Sequence, residues 1–443
     1  MTVVPDTKTS DGNEEIVAFP SGSGFDKAES ALETVPKMTS VRIEISPQPP
    51  GPWPDPYRIL FPIGAVFALW GAVVWPLTWL AGIAYPAVAH RGMMMQGFEL
   101  SFVLGFLLTA IPGFTGGQRF RPFELIVAAA LMIAFGGAIA AGAAPLASAI
   151  AAIAIAWAAA AIVRRVIAKR VLPPEEFAFV GLGLALGFTG ALWQAMLGFG
   201  ASPVEEPVPY FAQRLVSLGM MLPLVLGIGS LLVPAFAGIP NPLAIPGFAK
   251  AHEREGRRGL YLILALILGS AFVLEARALA WEAAIARAAV ATVMLLWVWK
   301  LPLPSTRNDT FSVALRLAGA CVLAGVWLAV LMPAHALAGY HVMFIGGFGL
   351  LTIGIATRVV VSHGRHPGAF ERSLLRGWQV GAVLLSAALR AAAESLPDFR
   401  MALLGSSGLL WTVAWSAWVW GALPLIVRVR PAADLISISQ TRR

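Results

Sequence analysis

Long apolar runs follow one another through most of this chain of 443 residues, and they constrain its fold more than any other feature. Each run is roughly 20 residues long, which is the length that an α-helix needs to cross a hydrocarbon layer of about 30 Å. With 58% hydrophobic and 13% charged residues, the chain carries more apolar surface than one water-soluble core could bury. The sequence therefore predicts an all-α, polytopic membrane helix bundle.

The apolar runs number about twelve, by their length and hydropathy. The division is least obvious in the Ala-rich region 123–163, where only GAAPLA separates two runs. Merging those two runs would give an odd number of spans and place the two ends of the chain on opposite sides. The predicted spans are residues 59–84, 94–115, 123–143, 145–163, 176–198, 212–238, 259–275, 282–300, 312–332, 336–361, 374–394 and 401–427.

The two ends of the chain differ in composition from the apolar runs. Residues 1–57 are polar and rich in Ser, Gly and Pro, which predicts a disordered cytoplasmic tail. They contain no continuous apolar core of the kind a signal peptide has, so the first span is expected to direct insertion. Residues 58–428 are predicted to form the transmembrane domain, and residues 429–443 a short cytoplasmic tail.

Cations alternate between the loops. With a cytoplasmic N-terminus, the outer loops would hold little beyond Arg91, Arg277 and Arg400. This asymmetry is the positive-inside pattern and predicts that both termini are cytoplasmic. It also explains the net charge of +8 through basic loops facing anionic lipid, without a nucleic acid partner. The inner loops would hold Arg119, Arg121, Arg164, Arg165, Lys169, Arg170, Lys250, Arg254, Arg257, Arg258, Lys300, Arg307, Arg365, Arg372 and Arg376.

The single cysteine limits the cofactors that the chain can hold. Cys321 lies inside an apolar run, so an intrachain disulfide, zinc cluster or iron–sulfur centre is excluded. Any metal must be bound by histidine, methionine or carboxylate. The sequence also contains no Walker A pattern and no recognisable nucleophile arrangement, so ATP-driven coupling within the chain is not expected.

The histidines can be sorted by their expected depth in the membrane. His90 lies at the outer start of the second span, and His335 and His341 lie at the outer start of the tenth. His363 and His366 lie at the inner end of the tenth span, roughly 33 Å from His341 along a helix, so the two groups cannot share a metal. The outer three could converge if the second and tenth spans pack together. The alternative for each is an interfacial histidine bonded to water.

Methionines recur at the depth of the outer histidines. Met93 and Met94 follow His90 within a turn, and Met343 stands beside His341. Thioether and imidazole together suit Cu(I) or an axial position on haem, so His335, Met93, Met94 and Met343 are candidate copper ligands. The alternative for each methionine is to fill an irregular packing gap.

Three residues of the second span could support such a site. Gly97 would let a bulky group approach the backbone. Gln96 and Glu99 would supply hydrogen bonds, and Glu99 lies about a turn deeper in the membrane. One role for Glu99 is to form an interhelical hydrogen bond. The alternative is that it carries protons or acts as the hydrogen-bonding partner of a ligand histidine.

Three polar residues at the inner end of the tenth span are predicted to have a different role. Arg358, His363 and His366 lie where this span meets the cytoplasm. We expect them to anchor a loop or bind lipid phosphate, and not to bind a metal.

Two stretches resemble one family of bacterial membrane proteins. AHRGMMMQGFELSFVLGFLLTAIPGFTGG and HVMFIGGFGLLTIGIATRVVVSHGRH, with YRILFPIGAVFA before the first span, are similar to the NnrS family. The signature positions of the first stretch are His90, Gly97, Phe98, Gly105–Ala110, Thr115 and Gly116. Those of the second are His341, Gly346, Thr357, Arg358, Val359 and His363. The chain has Gly92 and Met93 where many members carry a second histidine and a glutamate.

The resemblance implies a haem- and copper-containing, multi-pass protein of the bacterial cytoplasmic membrane. It further implies a link to nitric oxide metabolism, denitrification and resistance to nitrosative stress. On this reading haem b is held near the outer leaflet by His341 as the primary axial ligand, with His90 across from it. Copper would be a second metal, and nitric oxide or a related nitrosyl species the small-molecule partner.

Two other classes of protein fit part of the sequence. A secondary transporter for a small solute or metal would explain the many spans and the Pro- and Gly-interrupted stretch GMMLPLVLGIGSLLVPAFAGIPNP, although the sequence has no convincing half-to-half repeat. A self-contained haem–copper reductase would need about six histidines inside the membrane for its metals. This chain has at most three at one depth.

Overall fold

Hydropathy and length determine where the helices lie in the computed structural model. It describes residues 53–84, 87–115, 118–169, 174–200, 208–240 and 251–428. In these ranges eleven helices are long and apolar enough to cross a membrane, and no β-strand occurs. The predicted polytopic membrane helix bundle is confirmed.

A twelfth helix, Gly377–Ala392, falls in the predicted span 374–394 but has only 16 residues. It is about 24 Å long, which is less than the hydrocarbon thickness. We number the twelve helices in chain order. They are α1 Tyr57–Ala81, α2 Ala87–Gly113, α3 Pro122–Ala140, α4 Ala144–Ala168, α5 Phe177–Gly198, α6 Tyr210–Ala237, α7 Arg257–Ala276, α8 Ala280–Val298, α9 Thr310–Leu331, α10 Pro333–His363, α11 Gly377–Ala392 and α12 Pro397–Val427.

The Ala-rich region divides into two helices as predicted. α3 and α4 are joined by a tight turn in which Gly142 has φ of 70°, a left-handed conformation that glycine adopts without steric cost. The predicted N-terminal tail lies outside the described residues as far as residue 52, and so does all of the tail 429–443. Tyr57, which closes the predicted tail, is the first residue of α1, and its side chain is buried.

Three helices, α2, α6 and α10, form the centre of the bundle. In the most apolar 18-residue stretch of each, 72–83% of the residues are buried, against 33–50% in the other eight spanning helices. A helix that is apolar on all sides and buried on all sides belongs in an interior, whereas a helix with an exposed apolar face borders lipid. The two longest resemblance motifs therefore lie on central helices, α2 and α10.

The three central helices share a backbone irregularity. Each contains a π-helical segment in its first half: Met93–Glu99 in α2, Leu215–Gly219 in α6 and Val342–Gly349 in α10. A fourth such segment, Val293–Val298, ends α8. π-helical turns are rare and occur frequently at functional sites, because they redirect the side chains around them.

Some basic residues of the predicted inner loops have partners within the protein. Arg165 approaches Glu124, at the start of α3, with 2.5 Å between Nη2 and Oε2. Arg257 approaches Glu176, just before α5, with 3.2 Å between Nη2 and Oε1. These cations therefore tie neighbouring helix ends together, in addition to any contact with lipid phosphate.

The orientation of the bundle is testable with reporter fusions. We expect a fluorescent protein fused after Arg443 to be active and alkaline phosphatase at the same position to be inactive, because the positive-inside pattern places this end in the cytoplasm. A fusion after Ser395, between α11 and α12, serves as the control and should give the opposite result. Phosphatase activity at Arg443 would show that the predicted orientation is wrong.

Candidate functional site

His90 lies in α2, three residues before the π-helical segment Met93–Glu99. Its Nδ1 is 2.6 Å from the carbonyl oxygen of Gly71 in α1. The imidazole also packs edge-on against Trp75 of α1, with 5.5 Å between ring centroids and an angle of 76°. A backbone contact on one side and an indole on the other fix the orientation of this ring.

His341 lies in α10, immediately before the π-helical segment Val342–Gly349. Its Nδ1 is 2.9 Å from the carbonyl oxygen of Leu337, one turn earlier in the same helix. The ring of Phe344 lies 6.0 Å away at 67°. Both candidate axial histidines are therefore half-buried and bonded through Nδ1 to a main-chain carbonyl.

These contacts determine the tautomer of each imidazole. Because a carbonyl oxygen can only accept a hydrogen bond, Nδ1 carries the proton in both rings, and Nε2 carries the lone pair. This is the arrangement in which histidines commonly bind metals, with the second nitrogen donating to a carbonyl or carboxylate. His90 and His341 are close enough to interact electrostatically, and both interact with Arg390 of α11. The structure thus brings the two residues to one end of the bundle.

His335 lies outside the regular helix. It ends a single 3₁₀ turn, Pro333–His335, and caps the α-helical stretch Ala336–His341. A continuous helix would place His335 and His341 on different faces, and the break in the helix removes that restriction. Its role as a copper ligand stays a prediction.

The three candidate methionines are packed among helices. Met93 and Met343 are buried, and Met343 fits against Gly325 of α9, where an added Cβ would lie 2.7 Å from the Cβ of Met343. Met94 packs its sulfur on Gly71, the residue whose carbonyl accepts the bond from His90. The described residues contain no group of three or more His, Cys, Asp or Glu side chains that could hold a metal ion.

Gly97 admits a bulky group, and that group is an aromatic ring of the protein itself. A Cβ at Gly97 would lie 2.7 Å from the ring of Phe67 in α1. Contacts this short do not occur, so a side chain here would push α1 and α2 apart. Gly97 therefore supports the site by allowing close packing of α1, which carries Gly71 and Trp75.

Gln96 belongs to a network of amides that the sequence did not reveal. Its Nε2 lies 3.4 Å from Oε1 of Gln194 in α5, whose own Nε2 donates to Oε1 of Gln213 in α6 at 2.8 Å. Ser148 of α4 donates to the same Gln194 oxygen at 3.3 Å. Four helices are thus joined by polar side chains, each of which satisfies another away from water.

A charged cluster adjoins this network. Arg214 of α6 approaches Glu275 of α7 at 3.2 Å, and Arg287 of α8 approaches the same carboxylate at 2.6 Å. Arg214 also donates to the hydroxyl of Tyr340 at 2.7 Å. Tyr340 precedes His341, so the cluster connects α6, α7 and α8 to the helix turn that carries this histidine.

The sequence does contain a signal for this cluster. Charged residues within apolar runs are rare and are usually paired inside the protein, and Glu275 and Arg287 both lie within predicted or observed spans. The pattern along the chain does not reveal which charge on one helix meets which charge on another. For that reason the ion pairs of this cluster could not be predicted from the sequence.

The C-terminal end of α10 is held by a second set of ion pairs. Arg358 contacts Glu371, in the short helix Phe370–Leu374, and Glu371 is also 3.2 Å from Arg307. Arg307 is 2.7 Å from Asp309, which caps α9 by accepting from the backbone of Ser312. Burial raises the pKa of Asp309, but the Ser312 bond and Arg307 outweigh it, and the net pKa lies below the usual range.

The two histidines near Arg358 lie apart from the outer pair. His363 is exposed, with its ring 6.2 Å from that of Tyr57. His366 is buried, and its Nε2 is 3.1 Å from the carbonyl oxygen of Leu425 in α12. These contacts connect the last residue of α10 to α1, and the loop after α10 to α12. Anchoring by lipid phosphate stays a prediction.

Fold and site together define a multi-pass membrane protein with two histidines on separate central helices at one end of the bundle. The chain belongs to the NnrS protein family, whose family model matches residues 52–430, most of the chain. This confirms the resemblance drawn from the two sequence motifs and associates the protein with nitric oxide-related function. No curated protein matches the chain significantly in sequence.

The charged cluster at Glu275 generates a stability prediction. Glu275→Gln would leave Arg287, which is 3% exposed, without its carboxylate, and breaking a buried pair costs about 3 kcal/mol. We expect a lower melting temperature in detergent, measured by the fraction of protein that stays monodisperse after heating. The matched control is Glu282→Gln, which changes the same charge on the exposed first turn of α8. Equal melting temperatures for the two variants would contradict the assigned role.

Proposed function

We propose that the protein binds haem b near one face of the membrane and uses it to bind, sense or detoxify nitric oxide. The main observation in support is that His90 and His341, on two different central helices, each form a hydrogen bond to a main-chain carbonyl through Nδ1. Each imidazole then presents Nε2 as a potential iron ligand. The site would lie in the outer leaflet of a bacterial cytoplasmic membrane.

The residues present fit a haem. His341 would be the primary residue to hold the iron, and His90 would be the second. Arg390 interacts electrostatically with both imidazoles and is itself paired with Glu394 at 2.7 Å, so this ion pair would lie beside the haem. Bound haem would supply a ferrous iron, to which nitric oxide bonds strongly. Trp75 and Phe344 flank the two imidazoles and would exclude water from them.

Copper forms a second part of the proposal. His335 with Met93, Met94 or Met343 would provide the imidazole and thioether ligands that Cu(I) prefers. Met94 is the best supported of the three methionines as a copper ligand. Its sulfur packs on Gly71, the residue whose carbonyl oxygen accepts the hydrogen bond from His90. Gln96 and Glu99 would support the site without binding the metal themselves. Gln96 would do so through the amide network, and Glu99 through its hydrogen bond to Thr352.

The haem assignment predicts distinct effects of three histidine substitutions. In protein purified from membranes, His341→Ala should abolish the Soret band, because it removes the primary ligand. His90→Ala should weaken the band or change the ligation, and His335→Ala should chiefly lower the copper content found by metal analysis. His363→Ala, at the other end of α10, is the control and should keep both.

Three outcomes would contradict this function. An unchanged haem spectrum in a folded His90→Ala/His341→Ala double variant would show that any haem lies elsewhere. Loss of haem in His363→Ala with correct insertion would move the site to the inner end of α10. A colourless, metal-free protein that moves a solute across vesicles would instead support the secondary transporter.

A further inference from the structure

A cavity of about 60 Å³ lies between α1, α2, α6 and α10, deeper in the bundle than the histidine pair. Aliphatic and aromatic side chains line most of it, among them Phe106, Val225 and Ile355. Glu99 and Thr352 are the only polar residues among the described residues that form its wall. The two are bonded to each other, with 3.0 Å from the Thr352 hydroxyl to Oε2 of Glu99. They form one polar corner in an otherwise apolar space.

Glu99 differs from the other buried glutamates of the described residues. Glu124, Glu176 and Glu371 each lie within 3.2 Å of an arginine, which compensates the carboxylate charge. The recorded partner of Glu99 is instead the neutral hydroxyl of Thr352. A carboxyl group is costly to place in the middle of a membrane, and the lack of arginine pairing distinguishes Glu99 from the glutamates that join helices by ion pairs.

The lining limits the charge of any occupant. Metal cations such as Na⁺ or Ca²⁺ take about six oxygen ligands, and here only Glu99 and Thr352 offer side-chain oxygens. An anion would face a carboxyl group with no arginine or lysine in the described wall. The occupant is therefore neutral. A cavity lined almost wholly by apolar side chains admits small apolar molecules, and about 60 Å³ is a few times the roughly 10–15 Å³ needed for one water.

We infer that this cavity is a docking site for a small neutral molecule of low polarity, of the size of a diatomic gas such as nitric oxide. The identity of the natural ligand rests on the proposed function, whereas the site itself rests on the cavity and its lining. Glu99 is nine residues beyond His90, and Thr352 is eleven beyond His341, or roughly 13 Å and 16 Å along their helices. The cavity thus lies on the same two helices as the histidines, at the depth where an apolar gas dissolved in lipid concentrates.

Xenon is a suitable probe, because it enters dry apolar cavities and is visible by anomalous scattering. Crystals of the full chain grown in lipid would be pressurised with xenon. We expect an anomalous peak within the space bounded by Glu99, Phe106, Val225 and Ile355. An absent peak, or ordered waters filling the same space, would overturn the inference without recourse to any variant.

A pair of alanine substitutions tests whether the cavity holds the gas. Ala356 lines the cavity, and Ala356→Leu should lower xenon occupancy about tenfold, because the larger side chain fills the space. Ala130→Leu makes the same change on an exposed position of α3 and should leave the peak intact. Should Ala356→Leu fail to fold, Val225→Phe offers a second way to fill the space. Unchanged occupancy in either folded filling variant would overturn the inference.

The same preparation separates this inference from the proposed function. A xenon peak in protein that lacks a Soret band would contradict the haem assignment and leave the docking site standing. A Soret band without a xenon peak would do the reverse. Thr352→Val, which keeps the volume and removes the hydroxyl, should retain xenon, because this probe needs no hydrogen bond.

Discussion

A hydrocarbon layer offers no water to a polar group, so the buried donors, acceptors and charges of this bundle are satisfied chiefly by partners within the protein. The consequences are visible at each level of depth. Carboxylates near helix ends pair with arginines, as Glu124 does with Arg165 and Glu371 does with Arg358. Amides in the interior bond to amides, and the imidazoles of His90 and His341 bond to main-chain carbonyls. The positions of the helices follow from these requirements.

The same constraint explains how the three central helices carry polar groups. α2, α6 and α10 are surrounded by other helices, so a polar group on most of their faces can find a partner within the protein. Gln96, Gln213, Arg214, Tyr340 and Glu99 all lie on them. A lipid-facing helix such as α7 exposes leucine and isoleucine, and its Glu275 is paired with arginines of neighbouring helices.

Much of the fold could be predicted from the sequence, because span length and hydropathy act locally along the chain. The separation of α3 from α4 is an example, since one Gly-containing turn suffices to mark it. Part of the site was also accessible: His90 and His341 could be placed at one depth by counting residues. Their hydrogen bonds to Gly71 and Leu337 could not be predicted, and neither could the ion pairs that Arg214 and Arg287 form with Glu275. These contacts depend on which helices are neighbours, and the local sequence around each residue does not indicate this.

Gly97 illustrates the difference between predicting a property and predicting its use. The absence of a side chain correctly indicated a close approach, but the approaching group is Phe67 and not a ligand. A length of apolar sequence contains many such glycines, and only the packing of helices decides what each one admits.

The π-helical segments have a further consequence for how this site is divided. A π-helical turn accommodates one residue more than an α-helical turn, so the side chains before it are rotated by about 100° relative to an uninterrupted helix. In α2 that offset lies between His90 and the inner end of the helix, and in α10 it lies between His341 and Thr352. The two halves of each helix are thereby set at independent angles. A single-residue deletion inside either segment, made before Glu99 in α2, would therefore turn the histidine relative to the residues of the same helix that line the cavity.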